Sequence, residues 1–132
     1  PLWMVCARTR QGGFYRVRYV GGALAMPTGM RVIAGGLELA FGVDLDRELA
    51  CEVDSYSIKT WSLKRSRNYG SQHYDEKELV VQKATLQPDG RTLRLEINDL
   101  APTMGMEIAC DLETVDGEVL RAKIHGTIHK LR

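Results

Sequence analysis

The chain has 132 residues, with 18 lysines and arginines against 17 aspartates and glutamates for a net charge of +1, and 44% of its residues are hydrophobic. That length suits one domain able to bury roughly two thirds of the surface its unfolded chain exposes, and near-neutrality supplies no overall field for holding nucleic acid or an anionic membrane surface. No apolar run approaches the roughly 18 to 20 residues that span a bilayer, so the sequence predicts a globular chain with no membrane insertion.

The chain opens at Pro1 with neither an initiator methionine nor the pattern of a signal peptide. The expectation is therefore a piece of a longer polypeptide, whose compartment no targeting signal reveals. From Phe14 to Val20, Tyr15, Val17 and Tyr19 alternate with Arg16 and Arg18, which predicts a strand with one wet face. Gly21, Gly22 and Pro27 break the pattern, so residues 21–28 read as a linker. The division this suggests is an N-terminal strand and linker over 1–29 and a β-sandwich over 30–132.

Met30 to Ala34 reads as a short strand turned by Gly35-Gly36, after which Leu37, Leu39 and Phe41 face inward. Asp44 to Ala50, with Leu45 and Leu49 four apart, suits a single helical turn. Asp44, Asp46 and Glu48 lack the ligand spacing and central glycine of an EF-hand loop, so a solvated turn is the expectation there. Tyr56, Ile58 and Thr60 begin another strand, which runs into the segment KTWSLKRSRNYGSQHYDEK, and Leu79 to Leu86 resumes the alternation. Pro88-Asp89-Gly90 is a turn in which proline presets φ and glycine accepts positive φ. Leu93, Leu95 and Ile97 alternate with Arg94 and Glu96, Met106 to Leu112 forms a further strand after 98–102, and Asp116-Gly117 makes the last tight turn. Ala122 to Leu131 closes the chain, with Ile124 and Ile128 on one face and His125 and His129 on the other. Some seven strands punctuated by turns predict an all-β, immunoglobulin-like or fibronectin-III-like antiparallel sandwich with a long central loop.

Cys6, Cys51 and Cys110 show no CxxC spacing, and an odd number cannot all pair within the chain. One disulfide with a thiol, and three thiols, both stay open. Cys110 shares its parity with Met106, Ile108 and Leu112, which predicts a buried structural thiol. His125 and His129 would share a zinc on a helix, but four residues of strand separate them by roughly 13 Å. No GxSxG, Walker-type loop, HExxH or CxxCH occurs, so the sequence lacks the usual markers of hydrolysis, nucleotide binding, zinc proteolysis and covalent haem attachment. His73 with Asp75 or Glu76 could serve as an acid-base pair, or simply pin the loop by ion pairing.

The central segment carries the functional expectation, through Trp61, Lys64, Arg65, Arg67, Asn68, Tyr69, His73 and Tyr74. Trp61, Tyr69 and Tyr74 could stack sugar rings or bases. Trp, Tyr and Arg are equally the residues enriched at interface hot spots. The third reading folds the segment back on its own sandwich, with Trp61 in the core and Asp75 and Glu76 neutralising its basic residues. Of these ligands nucleic acid, absent from the expected partners, is the least favoured, because the chain has no overall basic field.

The run QGGFYRVRYV resembles the last strand of a sugar-dehydrogenase-like β-propeller, and residues from about Met30 onward resemble a bacterial immunoglobulin-like domain of the S-layer type. The stretches KTWSLKRSRNYGSQHYDEK, QPDGRTLRLEI, APTMGMEI and IHGTIHKL carry the resemblance most specifically, and it covers nearly the whole chain. Together they are similar to the region after the propeller in large exported bacterial proteins. Those proteins combine a membrane-bound-dehydrogenase-like propeller, helical repeats and a c-type cytochrome domain. The resemblance implies a periplasmic or extracellular accessory module beside redox domains, with residues 1–29 a remnant of the preceding propeller. Haem would be carried elsewhere, and no cofactor is implied for this module. The chain departs from the family at Met104 and Gly105, where a Trp-Cys pair is common, and at Gly126, where a second Asn stands. The expected function is a noncatalytic spacer or docking module whose segment 59–77 packs on a neighbouring domain of the same polypeptide. The alternative is a carbohydrate-binding module, and a third reading is a redox accessory touching haem through His, Met104 or Met106.

Overall fold

Alternation of apolar and polar side chains lays down the central strands of the two large sheets. The computed structural model describes the backbone of residues 2–6 and residues 13–131 in full. In chain order the strands are β1 (Leu2–Cys6), β2 (Gly13–Val17), β3 (Pro27–Ile33) and β4 (Gly36–Phe41), then a helical turn α1 (Arg47–Ala50) and a 3₁₀ turn (Val53–Ser55). There follow β5 (Tyr56–Ser62), β6 (Tyr74–Leu79), β7 (Val81–Leu86), β8 (Thr92–Ile97), β9 (Thr103–Glu113) and β10 (Val119–Ile128). One sheet runs β3-β4-β8-β7 and the other β10-β9-β5-β6, with every neighbouring pair antiparallel, while among the described residues β1 and β2 pair only with each other. Lettered A, B, C, C′, D, E, F and G from β3 to β10, the sheets read A-B-E-D and G-F-C-C′, which is the immunoglobulin-like strand order.

The inner faces interdigitate to form one core. Leu37 and Leu39 of β4 lie opposite Leu95 and Leu93 of β8, and all four are fully buried. Across the sandwich, Ile58 of β5 faces Ile108 of β9 in register, and both are equally buried. Burial of such side chains stabilises the fold by about 1.5–3 kcal/mol each. The Cys110 thiol sits in this core, where desolvation pushes it up to about 12. Cys51 is an exposed free thiol, and the side chain of Cys6 lies outside the described residues. Strand β4 carries no cysteine, so the inter-sheet disulfide of antibody domains has no partner for Cys110 there.

The turn α1 closes one end of the sandwich. Asp46 caps it by accepting from the Leu49 N–H at 2.9 Å, Arg47 donates to the Leu86 carbonyl at 3.1 Å, and buried Ala50 takes the Tyr56 hydroxyl on its carbonyl at 2.7 Å. Burial raises the Tyr56 hydroxyl well above the ordinary phenol value, with Cys110 and Cys51 adding to the shift. Asp44 pairs with Arg91 at 2.5 Å. Two of the three carboxylates that invite a calcium reading are thus engaged in capping and ion pairing.

Several boundaries differ from the sequence reading. The sandwich has eight strands, and it starts at Pro27, inside the stretch read as linker, because Pro27 and Gly29 already pair with Phe41 and Ala40. The strand read over 14–20 ends at Val17. Residues 79–86 are not one strand: β6 ends at Leu79 in one sheet, and β7 begins at Val81 in the other, with Val80 making the crossing. The long loop over 59–77 shrinks to residues 63–73, because Lys59–Ser62 finish β5 and Tyr74–Lys77 start β6. Trp61 is not in the core. Tyr56, Ile58 and buried Thr60 take the inward parity, so Trp61 lies on the outer face.

Candidate functional site

Strand β5 delivers Trp61 to a prepared seat. Its register partner on β9 is Gly105, and a Cβ there would lie 2.2 Å from the Trp61 indole nitrogen. The indole fills the space that any other residue's side chain would need, an aromatic cover over a strand glycine. His73, arriving from the other side of the hairpin, stacks on Trp61 with ring centroids 4.0 Å apart and planes 11° from parallel. The His73 Nδ1 stands 3.3 Å from Glu76 Oε2, and Glu76 Oε1 stands 3.8 Å from Lys59 Nζ. Trp61, His73, Glu76 and Lys59 form one half-exposed chain of contacts on the outer face.

The same face carries a row of ionisable side chains across four strands. Glu78, Lys59, Glu107 and His125 are successive register partners from β6 to β10. Lys59 Nζ is 3.5 Å from Glu78, and Glu107 lies 3.7 Å from His125 and 3.2 Å from Lys123. Such exposed pairs contribute about 0.2–1 kcal/mol apiece and mainly fix register. His125 therefore lies beside Glu107 at the end of this row. His129 lies beyond the end of β10, past the register shift between Gly126 and Ile128.

The base of the hairpin is pinned and its tip is not. The Ser62 hydroxyl lies 3.1 Å from the Tyr74 carbonyl and 2.9 Å from Oδ2 of Asp75, whose φ is 52°. Lys64 sets its ammonium 4.3 Å from the Tyr74 ring centroid, and its N–H donates to Ser71 Oγ at 3.0 Å. Beyond that, Arg65, Arg67, Asn68 and Tyr69 project into solvent, and Tyr69 is completely exposed. The eight candidate residues thus divide into two pairs and a tip: Trp61 with His73, Lys64 with Tyr74, and the remaining four outermost. Trp61, Tyr69 and Tyr74 do not present one platform of free rings, because His73 and Lys64 already occupy two of them.

A cleft of about 710 Å³ lies beside this base, bordered by Trp61, Asp75, Lys77, Asp99, Met104 and His129. Asp99 and His129 are contributions that sequence reasoning did not associate with Trp61. They come from the β8–β9 connection and the end of β10, and no local spacing links them. Met104 is half exposed and takes the Leu63 N–H on its sulfur at 3.4 Å, whereas Met106 is fully buried in the core. Among the described residues, no three His, Cys, Asp or Glu side chains are grouped to hold a metal ion. No helix among them is long and apolar enough to cross a membrane. Comparisons with protein-family models, curated proteins and solved structures found no match.

Proposed function

We propose that the chain is a noncatalytic docking and spacer module of a larger exported redox protein, and that the tip of its β5–β6 hairpin packs on a neighbouring domain of the same polypeptide. The observation that carries this reading is the contrast within the hairpin. Its base is fixed by the Trp61–His73 stack and the Lys64–Tyr74 contact, while Arg65, Arg67, Asn68 and Tyr69 face solvent beyond it. A rigid base presenting Arg and Tyr lowers the ordering cost of an interface built from hot-spot residues. The resemblance to exported propeller and cytochrome proteins supplies the context, a periplasmic or extracellular setting with haem on other domains.

Cross-linking the longer polypeptide through the Lys64 amine, read by mass spectrometry, tests this. The expected cross-links join Lys64 to residues outside the 132, and they disappear when Arg65, Arg67 and Tyr69 are all changed to alanine. Cross-links confined to these 132 residues would sink the docking reading.

One observation favours carbohydrate binding as a second reading. Trp61 borders a cleft that also offers Asp75, Asp99 and His129 as partners for hydroxyl groups, and its volume is within the usual range for small ligands. A glycan array run on the wild-type chain and on a folded Trp61→Ala variant decides it. Binding lost in the variant supports the cleft, and no binding by the wild type removes it.

A further inference from the structure

The tip of the β5–β6 hairpin holds charge that its surroundings do not balance. Residues 63–73 include Lys64, Arg65 and Arg67 and no aspartate or glutamate. With 15 basic and 17 acidic residues elsewhere, the chain total of +1 divides into +3 on the tip and −2 over the rest. Asp75 and Glu76 are the carboxylates nearest in sequence, and the structure turns both toward the base. Asp75 Oδ2 lies 2.9 Å from the Ser62 hydroxyl, and Glu76 reaches His73 and Lys59. Among the described residues, Arg65 and Arg67 have no ion-pair partner.

These cations accompany a concavity. A cup of about 530 Å³ opens at the tip, walled by Lys64, Ser66, Asn68, Tyr69, Ser71 and Gln72. Local bonds shape it: the Lys64 N–H donates to Ser71 Oγ at 3.0 Å, the Asn68 N–H donates to Ser66 Oγ at 3.2 Å, and Gly70 reverses the chain at a φ of 83°. The wall offers an ammonium, hydroxyls and side-chain amides, which all donate to an oxyanion, and it contains no carboxylate. Arg65 and Arg67 add guanidinium forks of the geometry that takes a carboxylate through two parallel hydrogen bonds. Tyr69, wholly exposed, supplies a ring beside the charges.

The surroundings favour a compact anion over an extended one. The adjoining outer face bears Glu76, Glu78 and Glu107, which repel a nucleic-acid strand or an anionic bilayer laid across it. A loop carrying one or two carboxylates meets the cations alone. Resting on the docking reading above, we propose that the tip receives an acidic loop of a neighbouring protein domain, its aspartate or glutamate carboxylates set between Arg65, Arg67 and the Lys64 side of the cup. Such matching selects the partner more than it adds affinity, so the contact is weak between separate molecules and persists when the two domains share one chain.

The test has two arms. In an NMR titration of the full 132-residue chain, a capped peptide alternating glycine with aspartate is expected to shift amides 64–72. It should bind roughly three- to tenfold more tightly than its asparagine counterpart, as two exposed ion pairs allow, and added salt should remove that margin. Arg65→Glu with Arg67→Glu is expected to transfer the preference to a glycine-lysine peptide, a result that loss of folding cannot produce. Equal binding of the aspartate and asparagine peptides, no shift from either, shifts centred outside the tip, or tighter binding of a short oligonucleotide would each overturn the proposal. In the longer polypeptide, the outward cross-links of Lys64 are expected to vanish when the aspartates and glutamates nearest the linked site become asparagine and glutamine. Cross-links that survive this change would overturn the acidic occupant and leave docking itself intact, whereas absence of outward cross-links from the unaltered polypeptide overturns both.

Discussion

Two of the connections between neighbouring antiparallel strands, β5–β6 and β7–β8, are built in opposite ways. Between β7 and β8, the Asp89 carboxylate accepts from the N–H groups of Arg91 and Thr92 at 3.0 and 2.9 Å and from the Thr92 hydroxyl at 2.6 Å. The Thr92 hydroxyl, with the two backbone donors behind it, holds the Asp89 carboxyl below its usual range. Gly90 takes a φ of 70°, and Arg91 ties the turn to Asp44. Between β5 and β6, eleven residues, 63–73, close on sparse local bonds such as Asn68 N–H to Ser66 Oγ at 3.2 Å. Hydrogen bonds are concentrated where register must be fixed and sparse where side chains are offered outward. The difference separates a structural turn from a presenting one.

The sharpest way to break this comparison is to truncate an apolar or aromatic side chain just past each connection. Leu93→Ala, in the core just past the tight turn, is expected to cost about 2–5 kcal/mol by chemical denaturation. Tyr74→Ala, half exposed at the far end of the long connection, is expected to cost about 1 kcal/mol or less. Similar costs at the two sites would erase the distinction.

Next in size is Gly105→Ala, which places a methyl group where the Trp61 indole lies. A loss of about 1–3 kcal/mol is expected, together with a red shift of Trp61 emission in a Trp3→Phe background as the indole is displaced. Unchanged emission would mean that the indole is not seated there.

Smaller and dependent on pH is Asp89→Asn. Because the fold lowers the Asp89 carboxyl, its contribution is complete above the ordinary carboxylate range and is lost as pH falls through the lowered value. The variant should melt below wild type at neutral pH and converge with it in acid. Parallel Tm curves would contradict that sign. Smallest of all, Arg65→Ala, Arg67→Ala and Tyr69→Ala combined should leave stability within about 0.5 kcal/mol, since the tip lies outside the packed structure.

The same contrast explains what the sequence revealed. The Pro88-Asp89-Gly90 turn was legible because its chemistry is local, and Leu37, Leu39, Leu93 and Leu95 were legible because one wet face imposes period two. The ends of β5 and β6 were hidden. The residues concerned are polar or outward-facing, β6 is an edge strand, and a register irregularity falls between Thr60 and Ser62. The sheet crossing at Val80 was hidden too, since the Glu-Leu-Val-Val run contains no glycine or proline to announce it. At the candidate site, the segment and its residue types were visible in advance. The Trp61–His73 stack, the seat on Gly105 and the cleft reaching Asp99 and His129 depend on residues brought together from separate strands, which no spacing encodes.

The central pairs of both sheets, β4 with β8 and β5 with β9, each unite the first half of the chain with the second. Neither sheet can acquire its middle until residue 97 or 113 has emerged from the ribosome. At synthesis rates of about 5–20 residues per second, the early strands wait for seconds with their apolar faces unpaired. Closure over such distant contacts then takes milliseconds to seconds. The sandwich therefore closes late, and a nascent chain halted before β9 lacks the middle of its second sheet and so has no completed domain.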